Sequence, residues 1–151
     1  MGGTGPSTFD CTVPSAAGPT GAVTSTTTGG LWNDVTTWVG GKVPLATDAV
    51  VIAGEVQVNQ VAESSPTTCA SLTVTENGAV RAASYETRSL VVNGDFVNYG
   101  SVRNGPNYAS SDSATLEVHL GGRFFQMGTY GVSSTHFVGM QDQAIAVATS
   151  A

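Results

Sequence analysis

From residue 49 onward one short unit returns four times, over 49–58, 71–80, 89–98 and 115–124. Each copy is a few alternating apolar residues, a bend, and a second short apolar run. Asn77-Gly78 and Asn93-Gly94 mark tight turns, because both residue types accept the backbone angles a sharp turn needs. Aligned on Val50, Leu72, Leu90 and Leu116, the copies recur at uneven steps. Hairpins of a sandwich return every roughly 8–12 residues. Steps of roughly 20 residues suit one coil of a solenoid, where each unit buries its apolar face only by stacking on the next. The expected fold is all-β, a short β-helix (β-solenoid). A β-sandwich or jelly roll built from the same strands stays open as the alternative.

The flanks differ from this centre. Residues 1–30 read as an extended N-terminal arm rich in Gly, Pro, Ser and Thr, with little apolar content. Such a segment orders only by lying on its own core, adding to a sheet edge, or running onto a neighbouring subunit. Residues 31–138 form the expected β-helical domain, opened by Trp32 and Trp38. An indole is a large apolar body with a single N–H donor, suited to closing the end of a core. Residues 139–151 are a tail whose segment 144–148 is apolar and uncharged, a last strand or a docking segment.

Trp32-Asn33-Asp34-Val35-Thr36-Thr37-Trp38, then Gly40-Gly41-Lys42-Val43-Pro44, then Asp48-Ala49-Val50-Val51-Ile52 resembles the opening of bacterial surface β-helix domains of the G8 type. Leu90-Val91-Val92-Asn93-Gly94 and Asn98-Tyr99-Gly100 are similar to the coils that follow it. The likeness runs from residue 31 to about 138. It implies a right-handed single-stranded β-helix capped by the tryptophan segment, and surface display, adhesion or assembly rather than catalysis. A virion component, such as a phage head decoration or fibre protein, fits the same features by analogy.

Charge narrows the partners. Charged residues are only 11% of the chain and the net charge is −6. Sparse charge suggests that a partner covers part of the surface, and a homo-oligomer is expected. The five cations, Lys42, Arg81, Arg88, Arg103 and Arg123, are scattered, which argues against nucleic acid. No run approaches the roughly 18 apolar residues of a membrane span, so no membrane insertion is expected. Met1 to Asp10 lacks the cationic and apolar regions of a signal peptide. The expected location is a virion or the extracellular surface.

Chemistry has few carriers. Asp48, Glu55 and Glu117 are isolated carboxylates, without the convergence that acid–base catalysis needs. Glu117 and His119 share one strand face, but no nucleophile motif accompanies them. His119 and His136 stand too far apart along the chain for a recognised ligand spacing, so no metal is expected. No enzyme activity and no cofactor are implied. Contact candidates are therefore aromatic. Tyr99, Tyr108 and Tyr130 would meet a glycan, and Tyr108 sits in a Gly/Asn/Ser loop of adaptable composition. Alternation sends Phe125 and Met127 to the face opposite Phe124, where they meet a partner or a returning arm. Cys11 and Cys69 permit one disulfide, with two buried thiols as the other reading.

Overall fold

The computed structural model describes residues 12–59, 66–83, 87–105, 114–139 and 143–148. The chain is 48% strand and 3% helix, wound as a β-solenoid of about four turns. A partial coil comes first, with β1 (Val23–Thr24), β2 (Gly30–Leu31) and a 3-10 turn at Val35–Thr37. Coil one is β3 (Ala49–Ile52), β4 (Glu55–Val58) and β5 (Thr67–Cys69). Coil two is β6 (Ser71–Val74), β7 (Ala79–Ala82) and β8 (Thr87–Val92). Coil three is β9 (Phe96–Asn98), β10 (Ser101–Arg103) and β11 (Thr115–Leu120). Coil four is β12 (Phe124–Gln126), β13 (Thr129–Gly131) and β14 (Ser134–Phe137), and β15 (Ile145–Val147) follows.

These strands stack into three parallel sheets. The first runs β1-β3-β6-β9-β12-β15, the second β2-β4-β7-β10-β13, the third β5-β8-β11-β14. Every ladder between these strands is parallel, which decides against the sandwich and the jelly roll. The repeat is therefore a triplet of strands, not a pair. In register, Val50, Leu72, Phe96, Phe124 and Ile145 stack one above the other. The loops between them differ in length, so the steps along the chain are uneven. Leu90 and Leu116 belong to the third sheet, where Leu116 stacks on Arg88. Aligning them with Val50 and Leu72 mixes two faces of the coil. The Asn-Gly turns round corners between successive sheets and close no hairpin.

Alternation fills the interior. Val56, Val80 and Val102 make an inward column of the second sheet, and Cys69, Val92 and Leu120 one of the third; all are fully buried. Glycines mark the corner between the first two sheets. A Cβ on Gly78, Gly100 or Gly128 would run into the backbone carbonyl of Ile52, Gly78 or Gly100 respectively, one coil below. Only a residue without a side chain lets the coils close to ladder distance there. Beside this column lies an amide ladder. Asn98 is 0% exposed, and its Nδ2 donates to Gln126 Oε1 and to the Thr129 carbonyl, both at 2.8 Å. Its Oδ1 accepts the Gly100 N–H at 3.1 Å.

The tryptophans close the N-terminal end. Trp32 and Trp38 are buried, packed edge to face at 5.0 Å, and Trp38 Nε1 donates to the Trp32 carbonyl at 2.8 Å. Within residues 1–30, Val23–Thr24 and Gly30–Leu31 pair with coil one. Before them, Pro14, Gly18 and Pro19 share a groove with Thr73 and Val97 on the outer face of the first sheet. The described part of the arm thus lies on its own core. The tail joins the solenoid as well, since β15 pairs with β12.

Candidate functional site at the open end of the solenoid

Coil four is where the inward columns run out. Phe137 stacks on the fully buried Leu120 yet is 45% exposed. Ile145 stacks on Phe124 and is 55% exposed; Val138 and Val147 are exposed beside them. Among the described residues no coil stacks above these side chains, so the core column is left uncovered there. Among the described residues, β13, β14 and β15 each pair with one strand only, namely β10, β11 and β12. Their outer N–H and C=O groups face away from the molecule, as on any sheet edge. Gln143 fixes this geometry. Its Nε2 donates to the carbonyls of Leu120 and Gly122 at 2.8 and 2.7 Å, and its Oε1 accepts the Gly139 N–H. It thereby aligns the chain entering β15.

The opposite end is finished differently. Thr26 N–H donates to the Thr37 carbonyl and Val39 N–H to the Thr24 carbonyl, around an antiparallel bridge between Ser25 and Trp38. This short return covers the edge of β1. Leu31, Val35, Val39 and Leu45 are exposed beyond the cap, but Asp34, Lys42 and Asp48 stand among them. The open end carries almost no charge. No Asp, Glu, Lys or Arg occurs from 124 to 141, and Asp142 is the single one that follows Arg123.

Charges on the earlier coils are tied to one another. Glu55 takes Arg81 at 2.8 Å and Arg103 at 2.9 Å, bracing three coils of the second sheet. Asp48 accepts the Leu45 N–H at 2.8 Å and pairs with Lys42 at 3.4 Å, and these contacts hold its carboxyl below the usual range. Asp95 meets Arg123 at 2.7 Å. Burial alone would raise its pKa, but the hydrogen bonds and charge of Arg123 outweigh that and lower it. Each of these carboxylates has a structural partner, and they do not converge.

Among the described aromatic candidates, Tyr99, Phe125 and Tyr130 are each engaged within the chain. Phe125 is 2% exposed and the Arg123 guanidinium lies 5.2 Å from its ring centre, so the chain itself covers the face offered to a partner. Met127 is half-buried. Tyr130 turns inward, 4.9 Å from Phe124, and shares a 2.7 Å hydrogen bond with Thr135; burial raises its phenol. Tyr99 is half-buried and its hydroxyl donates to the Pro14 carbonyl, pinning the arm. Tyr108 and Cys11 lie outside the described residues. Cys69 is a free, buried thiol, pushed up to about 12 by desolvation. His119 and His136, far apart along the chain, are stacked on the outer face of the third sheet with centroids 4.6 Å apart. Parallel register makes the interval between them the length of one coil at that face. The exposed apolar residues Phe137 and Val138 escape a reading of the sequence alone. The charge-free run around them is the signal available.

No family model, no curated protein and no solved structure matches the chain. The solenoid follows from the strand ladders alone.

Proposed function

We propose that the protein is a non-enzymatic structural module that assembles through the open C-terminal end of its solenoid, with a second copy docked tail to tail. The observation that carries this is the combination, among the described residues at one end, of strand edges with one partner each, exposed core-column residues and sparse charge. In a chain of net charge −6, self-association needs a face where like charges do not meet. Two identical edges related by a two-fold axis pair antiparallel, which closes the contact at a dimer. In the first sheet, head-to-tail stacking is disfavoured by the covered edge of β1 at the other end. Placement at a virion or cell surface follows by analogy with the resemblance above. The carbohydrate-binding alternative has less support, because Tyr99 and Tyr130 direct their hydroxyls to partners within the chain.

Sedimentation velocity across a concentration series tests the reading. The wild-type chain should be a dimer at about 100 µM, well above the micromolar range of modest interfaces. Ile145→Asp, which puts like charges across the two-fold axis, should give monomers with an unchanged circular dichroism spectrum. A wild-type chain that stays monomeric, or an Ile145→Asp chain that still dimerises, refutes tail-to-tail docking. An open-ended ladder of species would do so too.

A further inference from the structure

We propose that Glu117, His119 and His136 form a binding site for a divalent transition metal ion, with Zn(II) the best match to the ligand set. The inference is independent of the docking end. Each of the three side chains offers a ligand atom, and these atoms all lie within 4.8 Å of one another. The arrangement follows directly from the winding. In a β-strand, residues two apart point to the same side, which puts Glu117 and His119 together on the outer face of β11. Parallel register then sets His136 of β14 on His119, with rings 16° from parallel and 4.6 Å between centroids. That spacing is the strand separation itself. The Glu117 carboxylate stands 3.9 Å from His119 Nε2.

Two imidazoles and one carboxylate are ligands that Zn(II) takes readily. Tetrahedral coordination at Zn–N distances of about 2.0–2.1 Å asks for ligand atoms about 3.3 Å apart. The present separations are slightly wider. The three side chains are half-buried or exposed, so rotation about their own bonds can close the gap without moving the sheet. Coil two places Ser89 and Val91 beside Glu117 and His119, and neither brings a competing cation. Three protein ligands leave a fourth position for water or for a group from a partner.

Such an ion would act as a staple. Within the described residues β14 pairs with β11 alone, and two of its four side chains are exposed. A metal held by one residue of β14 and two of β11 ties the last coil to the one below. In the unfolded chain a full coil of sequence separates the two histidines, so binding favours the wound state.

Titration of ZnCl2 into the untagged full-length chain by calorimetry tests this, in a Cys11→Ser background that removes a competing thiol. One saturable site is expected. His119→Ala and His136→Ala should each weaken it at least about tenfold, since even loss of a residue supporting a ligand has that effect. A chain without a saturable site, or one whose affinity is unchanged in both histidine variants, overturns the proposal. Hydrogen exchange on the wild-type chain gives a second reading that needs no variant. At free Zn(II) about 100 times its dissociation constant, amides of β14 should exchange up to about 100-fold more slowly. Unchanged exchange there removes the staple.

Discussion

Asn98→Ala probes the amide ladder that locks the third and fourth coils. Asn98 is fully buried and makes three hydrogen bonds, two as donor and one as acceptor. At a net value of about 1 kcal/mol each, their loss comes to about 3 kcal/mol. Two opposing adjustments shape that figure. Gln126 is half-buried and also bonds to the Gly128 carbonyl, so its freed oxygen can turn to water and recover part of the loss. The half-buried Gly100 N–H loses its Oδ1 partner, and a donor left unpaired away from water costs about 1–3 kcal/mol by itself. The expected destabilisation is thus about 3 kcal/mol, a large part of the roughly 5–15 kcal/mol a domain possesses. Urea unfolding followed by circular dichroism measures it. With a slope of about 2 kcal/mol/M, the midpoint should fall by about 1.5 M at constant slope. Gln126→Ala should cost less than half as much, and the double variant less than the sum of the two singles. A shift for Asn98→Ala no larger than the roughly 0.5 kcal/mol of a surface substitution would refute the ladder.

Gly100→Ala should destabilise by about 1–3 kcal/mol, because the new Cβ meets carbonyl oxygens of the coil below; thermal unfolding reads it, and a neutral result contradicts the close approach at the corner. Cys69 should resist iodoacetamide at pH 8.5 in the native state and react once unfolded, since its thiol is buried and raised to about 12. The folded thiol titrates above the unfolded one, whose ordinary value is 9.0. Its contribution is therefore complete below about pH 9 and lost as pH rises toward 12, at up to about 1.4 kcal/mol per unit. A Cys69→Val chain should lack that slope; equal slopes in the two chains would show that the thiol does not cause it.

The sequence made the solenoid legible at the positions where local pattern and winding agree. Val50 lies in an apolar run, Leu72 stands between Ser71 and Thr73, and the two stack in register as expected. Trp32 and Trp38 are an isolated bulky pair that only the end of a core accommodates. Phase was less legible. Leu90 and Leu116 carry the same alternation as the first sheet while belonging to the third, because coils of unequal length blur the period. Partner choice was least legible. Alternation put Phe124 and Phe125 on opposite faces, but composition does not say whether a chain covers its own outer face. The interval between His119 and His136 acquires meaning only once the length of a coil at that face is known. Phe137 and Ile145 look like ordinary core residues locally; their exposure depends on there being no described coil above them.

Hydrogen exchange of the segment 143–148 tests most directly whether the open edge of β15 is an assembly surface. Pairing with a second copy would satisfy N–H groups that a monomer leaves to water. Exchange in this segment should slow as protein concentration rises through the dimerisation range, and Ile145→Asp should abolish that dependence. Exchange that is fast and equal at every concentration would contradict the account.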